Sequence, residues 1–322
     1  MNSDGLIRVR VASRRDEAQD ICSLELVADD GSALPAFTAG AHIDLHLPNG
    51  WVRQYSLCNP PGETRRYQVA VLRDPFSRGG SQAVHDLLPV GAVLAISAPR
   101  NHFELAPDAP HHLLLAGGIG ITPLLAMAEQ LNVSGQPFEL HHCTRSRDRT
   151  PFVERLAGAP FAAQVHRHFD DGGAAQRLDI KATLLGAPAG THLYVCGPQG
   201  FMDAVLNAGR ATGWPEERLH REYFAAAPVD HSNDSAFELE LSSSGRVIPV
   251  RADQSALAAL LAAGVDIPMS CEQGVCGTCL TGVKSGTPDH RDQYLTDEEQ
   301  AVNDQFLPCC SRSLSQRLVL DL

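Results

Sequence analysis

The sequence predicts a multidomain protein: a small antiparallel β-barrel, then an α/β domain, then a compact α+β domain. Three observations carry that expectation. At 322 residues the chain exceeds the usual single-domain size. Short strand-like runs broken by turn residues occupy the chain from Leu6 to about Leu105, and at His111 they give way to alternating apolar strands and helices. Near the end, Cys271-Glu-Gln-Gly-Val-Cys276-Gly-Thr-Cys279, with Cys309 further on, spaces four thiols as C-x4-C-x2-C…C, the plant-type ligand pattern of a [2Fe-2S] centre.

The barrel rests on residues 21–27, 41–47, 67–72 and 93–97, which alternate fully or partly between apolar and polar. Asp29-Asp-Gly, Pro48-Asn-Gly, Asn59-Pro-Pro-Gly and Pro89-Val-Gly supply the turns. Two stretches there carry chemistry. On a strand, Arg53 and Tyr55 of Arg53-Gln-Tyr55-Ser56 share a face, so a phosphate-binding guanidinium stands beside an aromatic suited to covering a planar ring. In Ser77-Arg-Gly79-Gly80-Ser81, two glycines ahead of a helical stretch at 83–88 expose successive N–H groups, a nest for phosphate. Arg73, from a later strand, offers a second charge. Singly, each reads as a solvated arginine, a packed tyrosine or an ordinary turn. Together they raise a flavin-binding reading.

The α/β region opens with a buried strand at 111–116, followed by Gly117-Gly118-Ile-Gly120-Ile-Thr122-Pro123 and a helix over 124–131. Strand, glycine turn and helix are the context of a dinucleotide site, with the helix start facing the pyrophosphate. The motif departs from G-x-G-x-x-G, so it does not stand alone. Strands at 138–143, 163–168 and 191–195 and helices at 152–157, 180–185 and 201–208 extend the pattern. The strand at 191–195 ends in Cys196-Gly197-Pro198, suited to lining a crevice at a strand's carboxyl end. Cys196 is placed near a nicotinamide ring or, more blandly, in the core. Arg145 and Arg147 follow the second strand, where a ribose or its phosphate binds; they read equally as surface charges.

Residues 225–235 look like a linker. A hairpin at 237–241 and 246–250, a helix at 255–263, the cysteine loop, a short helix at 297–303 and a strand at 317–322 complete the chain. Gly274 and Gly277 let the loop backbone pass close to inorganic sulfides. Zinc competes for thiolates but usually takes paired C-x2-C knuckles, and only one is present. Inert structural cysteines are the blander alternative, poorly matched to three cysteines in nine residues flanked by glycine. Cys309 and Cys310 compete for the fourth position. A net charge of −12 without a basic tract disfavours nucleic acid as a partner. Nine cysteines, an odd number in a long chain, read as reducing-compartment usage. With no signal-like N-terminus and no apolar run long enough to span a bilayer, the expectation is a soluble cytoplasmic protein without membrane insertion.

Taken in order along the chain, the Arg53-Gln-Tyr55-Ser56, Gly79-Gly80-Ser81, Gly117–Pro123 and Cys196-Gly197-Pro198 motifs and the four-cysteine set resemble the phthalate dioxygenase reductase family, which includes the reductases of vanillate O-demethylases. The resemblance covers nearly the whole chain. It implies an FMN-binding barrel over 1–106, an NAD-binding α/β domain over 107–226, a linker over 227–235 and a C-terminal α+β, β-grasp plant-type ferredoxin domain over 236–322. Arg53, Tyr55 and Ser56 then meet the flavin and its phosphate, Val71-Leu72-Arg73 forms another contact segment, and Gly79, Gly80 and Ser81 cradle the phosphate. Thr122, Cys196 and Phe224 are implied nearest the reacting rings, with Tyr223 the alternative to Phe224 one register away. Gly117, Gly118, Gly120, Cys196, Gly197 and Pro198 fit the nicotinamide cofactor, with Arg145 on its ribose side. NADH is preferred to NADPH by likeness. Cys271, Cys276, Cys279 and Cys309 fit the cluster, leaving Cys310 unligated. The implied activity passes electrons from NADH through FMN and [2Fe-2S] to a Rieske-type non-haem iron oxygenase acting on an aromatic such as phthalate or vanillate. Reduction of a small acceptor or free flavin is one rival, opposed by the cluster motif. A non-enzymatic iron–sulfur carrier is another, opposed by the retained flavin and nucleotide motifs. The isolated histidines are expected to be packing or surface residues.

Overall fold

Alternation of inward and outward side chains shapes the first part of the computed structural model, which describes residues 5–75, 79–224 and 231–322. β1 (Ile7–Ala18), β2 (Ile21–Ala28), β3 (His42–His46), β4 (Val52–Ser56), β5 (Tyr67–Leu72) and, after helix α1 (Gly80–Leu87), β6 (Val93–Ile96) form an antiparallel sheet in the order β4-β3-β6-β1-β2-β5. Register shifts in β1 at Val11/Ser13 and Asp16/Ala18 mark bulges that bend the long strand. The enclosed face buries Leu24, Leu26, Ile43, Leu45, Tyr67 and Val69, and α1 adds Ala83 and Val84 to the same core. The expected strand positions hold to within a residue or two. Phe76–Arg78, which include part of the glycine-rich turn, lie outside the described residues.

The next sheet is parallel. β7 (His112–Gly117), β8 (Phe138–Thr144), β9 (Val165–Phe169), β10 (His192–Cys196) and β11 (Leu219–Glu222) lie in the order β11-β10-β7-β8-β9. Every residue of β7 is buried, as a central parallel strand requires. Helix α2 (Ile121–Ser134) starts three residues earlier than its apolar run predicts. Pro123 is tolerated inside because N–H groups of the first turn have no intrahelical partner in any case. α3 (Val153–Ala157), α4 (Ile180–Gly186) and α5 (Gln199–Ala211) complete the unit. β11 is an addition to the expected elements. These two sheets make up one compact unit, Met1–Glu222, and Tyr223–Leu322 forms a second.

In the second unit β12 (Phe237–Leu241) pairs antiparallel with β13 (Val247–Val250), and α6 (Ala256–Ala262) buries Leu257 and Leu260. β14 (Thr281–Ser285), β15 (Pro288–Asp289), α7 (Asp297–Val302), β16 (Gln305–Phe306), β17 (Arg312–Ser313) and β18 (Arg317–Leu320) follow. The main sheet runs β13-β12-β18-β14-β16, with β12 and β18 parallel, and β15 pairs with β17. A mixed sheet with one helix packed against it is the α+β, β-grasp arrangement. α7 carries a full capping box between Thr296 and Glu299. Residues 225–230 of the expected linker lie outside the described residues. Its far end is anchored, since Asp234 pairs with Arg291 at 2.6 Å and Arg312 at 3.5 Å. Among the described residues no helix is long and apolar enough to cross a membrane.

Candidate functional site

The parallel sheet reverses its order between β7 and β10, so the switch-point crevice opens at their carboxyl ends. Gly117 ends β7 and Cys196 ends β10, with Gly197-Pro198 next, and the two turns touch through main chain. A Cβ on Gly120 would lie 2.2 Å from the Cys196 carbonyl oxygen and 2.4 Å from its carbon. One on Gly117 would meet Pro198 at 2.8 Å and Phe201 at 2.9 Å, and one on Gly197 would meet the Gly117 Cα at 2.8 Å. Glycine at these positions is therefore a packing requirement, and it keeps the crevice floor free of side chains. Gly118 sits in the left-handed region at φ 54°, and its carbonyl accepts a 3.0 Å hydrogen bond from Nε2 of buried His142 on β8. Sequence reasoning missed His142; its only local signal is a histidine in an apolar strand.

Thr122 is buried and donates its hydroxyl to the Ile119 carbonyl at 3.1 Å. Cys196 is fully buried, and burial pushes its thiol well above the ordinary value, so it is held as a neutral thiol. Arg145 and Arg147 are exposed beyond β8, with the Arg147 guanidinium 5.8 Å from the centre of the Phe169 ring.

The antiparallel sheet meets this crevice through Ser56. At the end of β4, its hydroxyl donates 3.2 Å to Oε2 of Glu222, which ends β11 opposite Cys196 in register. Desolvation lifts the half-buried Glu222 carboxyl from an ordinary 4.5 to about 8, which favours its neutral form near pH 7. Glu222 is a second residue absent from the sequence expectations. Its partner lies 166 positions away, and no local pattern marks it.

Arg53 lies behind Gly80, where a Cβ would fall 2.7 Å from Cγ and 2.8 Å from Nε of the arginine. Its guanidinium also stands 4.3 Å from the centre of the Trp51 ring. Gly79, at φ 105°, precedes α1 as its N-cap. Bare backbone at a helix start beside a guanidinium is a cradle chemically fitted to a phosphate. The Ser81 hydroxyl accepts from the Asp74 N–H at 3.1 Å. Tyr55 packs half-buried against the barrel core. Val71 is buried, so its side chain belongs to the core and its carbonyl accepts from His85 Nε2 at 2.9 Å, while Leu72 is half-buried. Arg73, expected as a second phosphate charge, forks onto Asp86 of α1 at 2.7 and 3.0 Å in this structure, an exposed pair. The α1 carboxylate lies closer to it in the fold than the sequence indicates.

In the second unit the cysteine loop gathers its thiols in pairs. The Cys271 thiol interacts with Cys276, and Cys279 with Cys309. The neighbouring Cys271 thiol holds the Cys276 thiol below its ordinary value. Backbone N–H groups of Gln273 and Thr278 point at Cys271 and Cys276 sulfur at 3.3 and 3.4 Å, as donors to thiolate do. A Cβ on Gly277 would strike the Tyr294 ring at 2.3 Å, and one on Gly274 would lie 2.4 Å from Cys310 Sγ. Cys310 Sγ faces the Leu307 carbonyl at 3.8 Å. Four convergent, largely buried thiols with N–H donors fit a [2Fe-2S] centre. Phe224 is exposed and Tyr223 half-buried.

A switch-point crevice, an anion cradle on an antiparallel barrel and a four-thiol loop together define a modular pyridine-nucleotide reductase. Residues 239–314 match the model of the 2Fe-2S iron-sulfur cluster binding domain, and residues 96–219 match the N-terminal domain of dimethylamine monooxygenase subunit DmmA-like proteins. The chain is 58% identical to vanillate O-demethylase oxidoreductase of Pseudomonas putida, covering 98% of this chain and 100% of that one. It is 40% identical to phthalate dioxygenase reductase of Burkholderia cepacia, over 99% of this chain and 98% of the relative. A solved structure of a phthalate dioxygenase reductase, described as a modular structure for electron transfer from pyridine nucleotides to [2Fe-2S], superposes with a TM-score of 0.78 at 40% identity, covering 99% and 98% of the two chains. The chain belongs to the family of oxygenase reductases that includes the vanillate O-demethylase oxidoreductases and phthalate dioxygenase reductases. It is an oxidoreductase that serves an oxygenase.

Proposed function

We propose that this chain is the NADH-dependent, FMN- and [2Fe-2S]-containing reductase of a cytoplasmic Rieske-type non-haem iron oxygenase that acts on an aromatic of the vanillate or phthalate kind. The observation that carries the reading is the pairing, in one chain, of the glycine-walled crevice facing Ser56 and Glu222 with the four-thiol loop. When bound, the flavin splits a hydride's electron pair and the cluster hands electrons on singly.

The protein's part is binding, orientation and exclusion of water. Gly79, Gly80, Ser81 and Arg53 hold the FMN phosphate, and Tyr55 and Ser56 line the flavin edge, with Val71 and Leu72 contributing backbone. Gly117, Gly118, Gly120, Gly197 and Pro198 admit the dinucleotide, Cys196 and Thr122 bound the nicotinamide end, and Arg145 faces its ribose side. Phe224 covers a flavin face. Cys271, Cys276, Cys279 and Cys309 hold the cluster, supported by the Cys279–Cys309 contact and by the turn of Cys310 toward Leu307. The functional divisions follow as barrel over 1–106, nucleotide domain over 107–226, linker over 227–235 and ferredoxin domain over 236–322.

Glu222 keeps its proton on the carboxyl beside Ser56, so negative charge arriving with hydride meets a neutral wall. Its raised value leads to a pH prediction. Below about 8 the carboxyl is mainly neutral; above, a half-buried, poorly solvated anion opposes further negative charge. NADH-driven flavin reduction should slow as pH rises through about 8, and Glu222→Gln, neutral throughout, should flatten that profile in stopped-flow traces. The same group stabilises the fold fully below its ordinary 4.5, and that contribution is lost as pH rises toward 8. Glu222→Gln should remove this slope from chemical-denaturation curves. An unchanged rate profile would remove Glu222 from the site.

Anaerobic titration of the purified protein with NADH, with analysis of acid-released cofactor, tests the central reading. Flavin bleaching with loss of the broader iron–sulfur absorption and release of FMN is expected. Flavin bleaching with no cluster response would leave a flavin reductase. No response from flavin-loaded protein would overturn the proposal.

A further inference from the structure

The histidines expected to be isolated are gathered on the nucleotide sheet. β8 and β9 pair in parallel with His141 opposite His166 and Cys143 opposite His168. The two-residue period places Glu139 and His141 on the same face of β8, and the register brings His166 and His168 beside them. Nothing in the proposed electron route uses this face. His141 is buried, with its ring stacked on His166 at 4.7 Å and on His168 at 5.2 Å. Its Nδ1 lies 3.0 Å from His168 Nε2, and its Nε2 lies 3.5 Å from Glu139 Oε2. One donor atom each from Glu139, His141 and His166 falls within 4.8 Å of the other two.

We propose that Glu139, His141 and His166 form a binding site for one divalent late first-row transition ion, with zinc as the test ion. Tetrahedral bonds of about 2.0–2.2 Å put donors roughly 3.4 Å apart, and Glu139 and His141 already stand at 3.5 Å. His166 is exposed and closes the remaining gap by rotation. His168 is the outer partner: by accepting from Nδ1–H of His141 it fixes the tautomer that offers Nε2 to the ion. Two imidazoles and one carboxylate suit zinc, nickel or copper, whereas calcium and magnesium demand an oxygen-rich shell. Water completes the coordination on the open side. β9 is the edge of its sheet, so the ion staples the edge strand to β8, whose carboxyl end leads to Arg145.

Equilibrium dialysis of the oxidised holoenzyme against zinc, with zinc and iron both measured, tests this. The wild type should take up one zinc per chain with no loss of iron. His168→Asn should weaken binding about tenfold to a hundredfold, and His166→Ala or Glu139→Gln should weaken it further. His192→Asn, in the separate His192–His220 pair, should bind as the wild type does. Copper(II) supplied instead should give an electron paramagnetic resonance signal with imidazole nitrogen splitting that His166→Ala alters. His166 is exposed, so its replacement should leave NADH oxidation without zinc unchanged and certify the fold. No uptake, uptake matched by iron loss, or equal uptake by wild type, His166→Ala and Glu139→Gln would each overturn the site.

Discussion

Cys276→Ser is expected to abolish reduction of the oxygenase partner while leaving NADH-driven bleaching of bound flavin intact. Cys276 is only 4% exposed, interacts with the Cys271 thiol, and is approached by the Thr278 N–H. Serine offers a harder oxygen where a soft thiolate matches iron–sulfur chemistry. Lost ligation also weakens the second unit, because free energy of metal binding is free energy of folding in small metal-dependent units. Iron content and visible absorption should fall together, the second unit should unfold at lower temperature, and partner reduction should drop to background. Stopped-flow traces at the flavin should match the wild type. If partner reduction survived despite confirmed cluster loss, the route through the thiol loop would be wrong.

Gly120→Ala should disable the first electron step by a different physical route. Its added Cβ would lie 2.2 Å from the Cys196 carbonyl oxygen and 2.7 Å from the Gly197 nitrogen. Those atoms are main chain at the end of a buried parallel strand, so no side-chain rotation relieves the clash. The start of α2 or the Cys196-Gly197 turn must move, and both line the crevice. A displacement near 1 Å in a positioning element costs about a hundredfold, so kcat/KM for NADH should fall by that order. Overpacking of this kind also costs about 1–3 kcal/mol of stability, which chemical denaturation would measure. Gly200→Ala is the control, because no atom beyond its chain neighbours and its own helix backbone lies within 4 Å of its Cβ, in the first turn of helix α5. By lowering the entropy of the unfolded chain it should gain roughly 0.4–1 kcal/mol at most. Equal kinetics for Gly120→Ala and wild type would mean that the two glycine turns do not form the nucleotide crevice.

The difference between these two variants tracks what each level of description carries. The C-x4-C-x2-C…C spacing, the glycine turn after an apolar strand and the two-residue alternation of the early strands are local patterns. They are written in neighbouring residues, so the cysteine loop, the crevice turns and the succession of barrel, α/β and α+β units were legible from the sequence. Short range is also why the spacing left Cys309 and Cys310 undecided: adjacent residues differ in direction rather than in spacing, and only the packed loop brings Cys309 to Cys279 and turns Cys310 toward Leu307.

What the tertiary structure alone decided depends on register and on contacts between distant segments. The Ser56–Glu222 hydrogen bond, the support of the Gly118 carbonyl by His142, the capture of Arg73 by Asp86 and the meeting of Glu139 and His141 with His166 all join groups from separate segments, whose distance along the chain carries no information about their distance in space. Strand order and parallel register place Glu222 opposite Cys196 and His166 opposite His141. A shift of one residue in either register would turn those groups to the other face. Sequence by itself therefore determined the modules and the residue types able to hold cofactors. Packing decided which of those residues meet, because pairing of distant strands is fixed by the burial of whole faces rather than by any local motif.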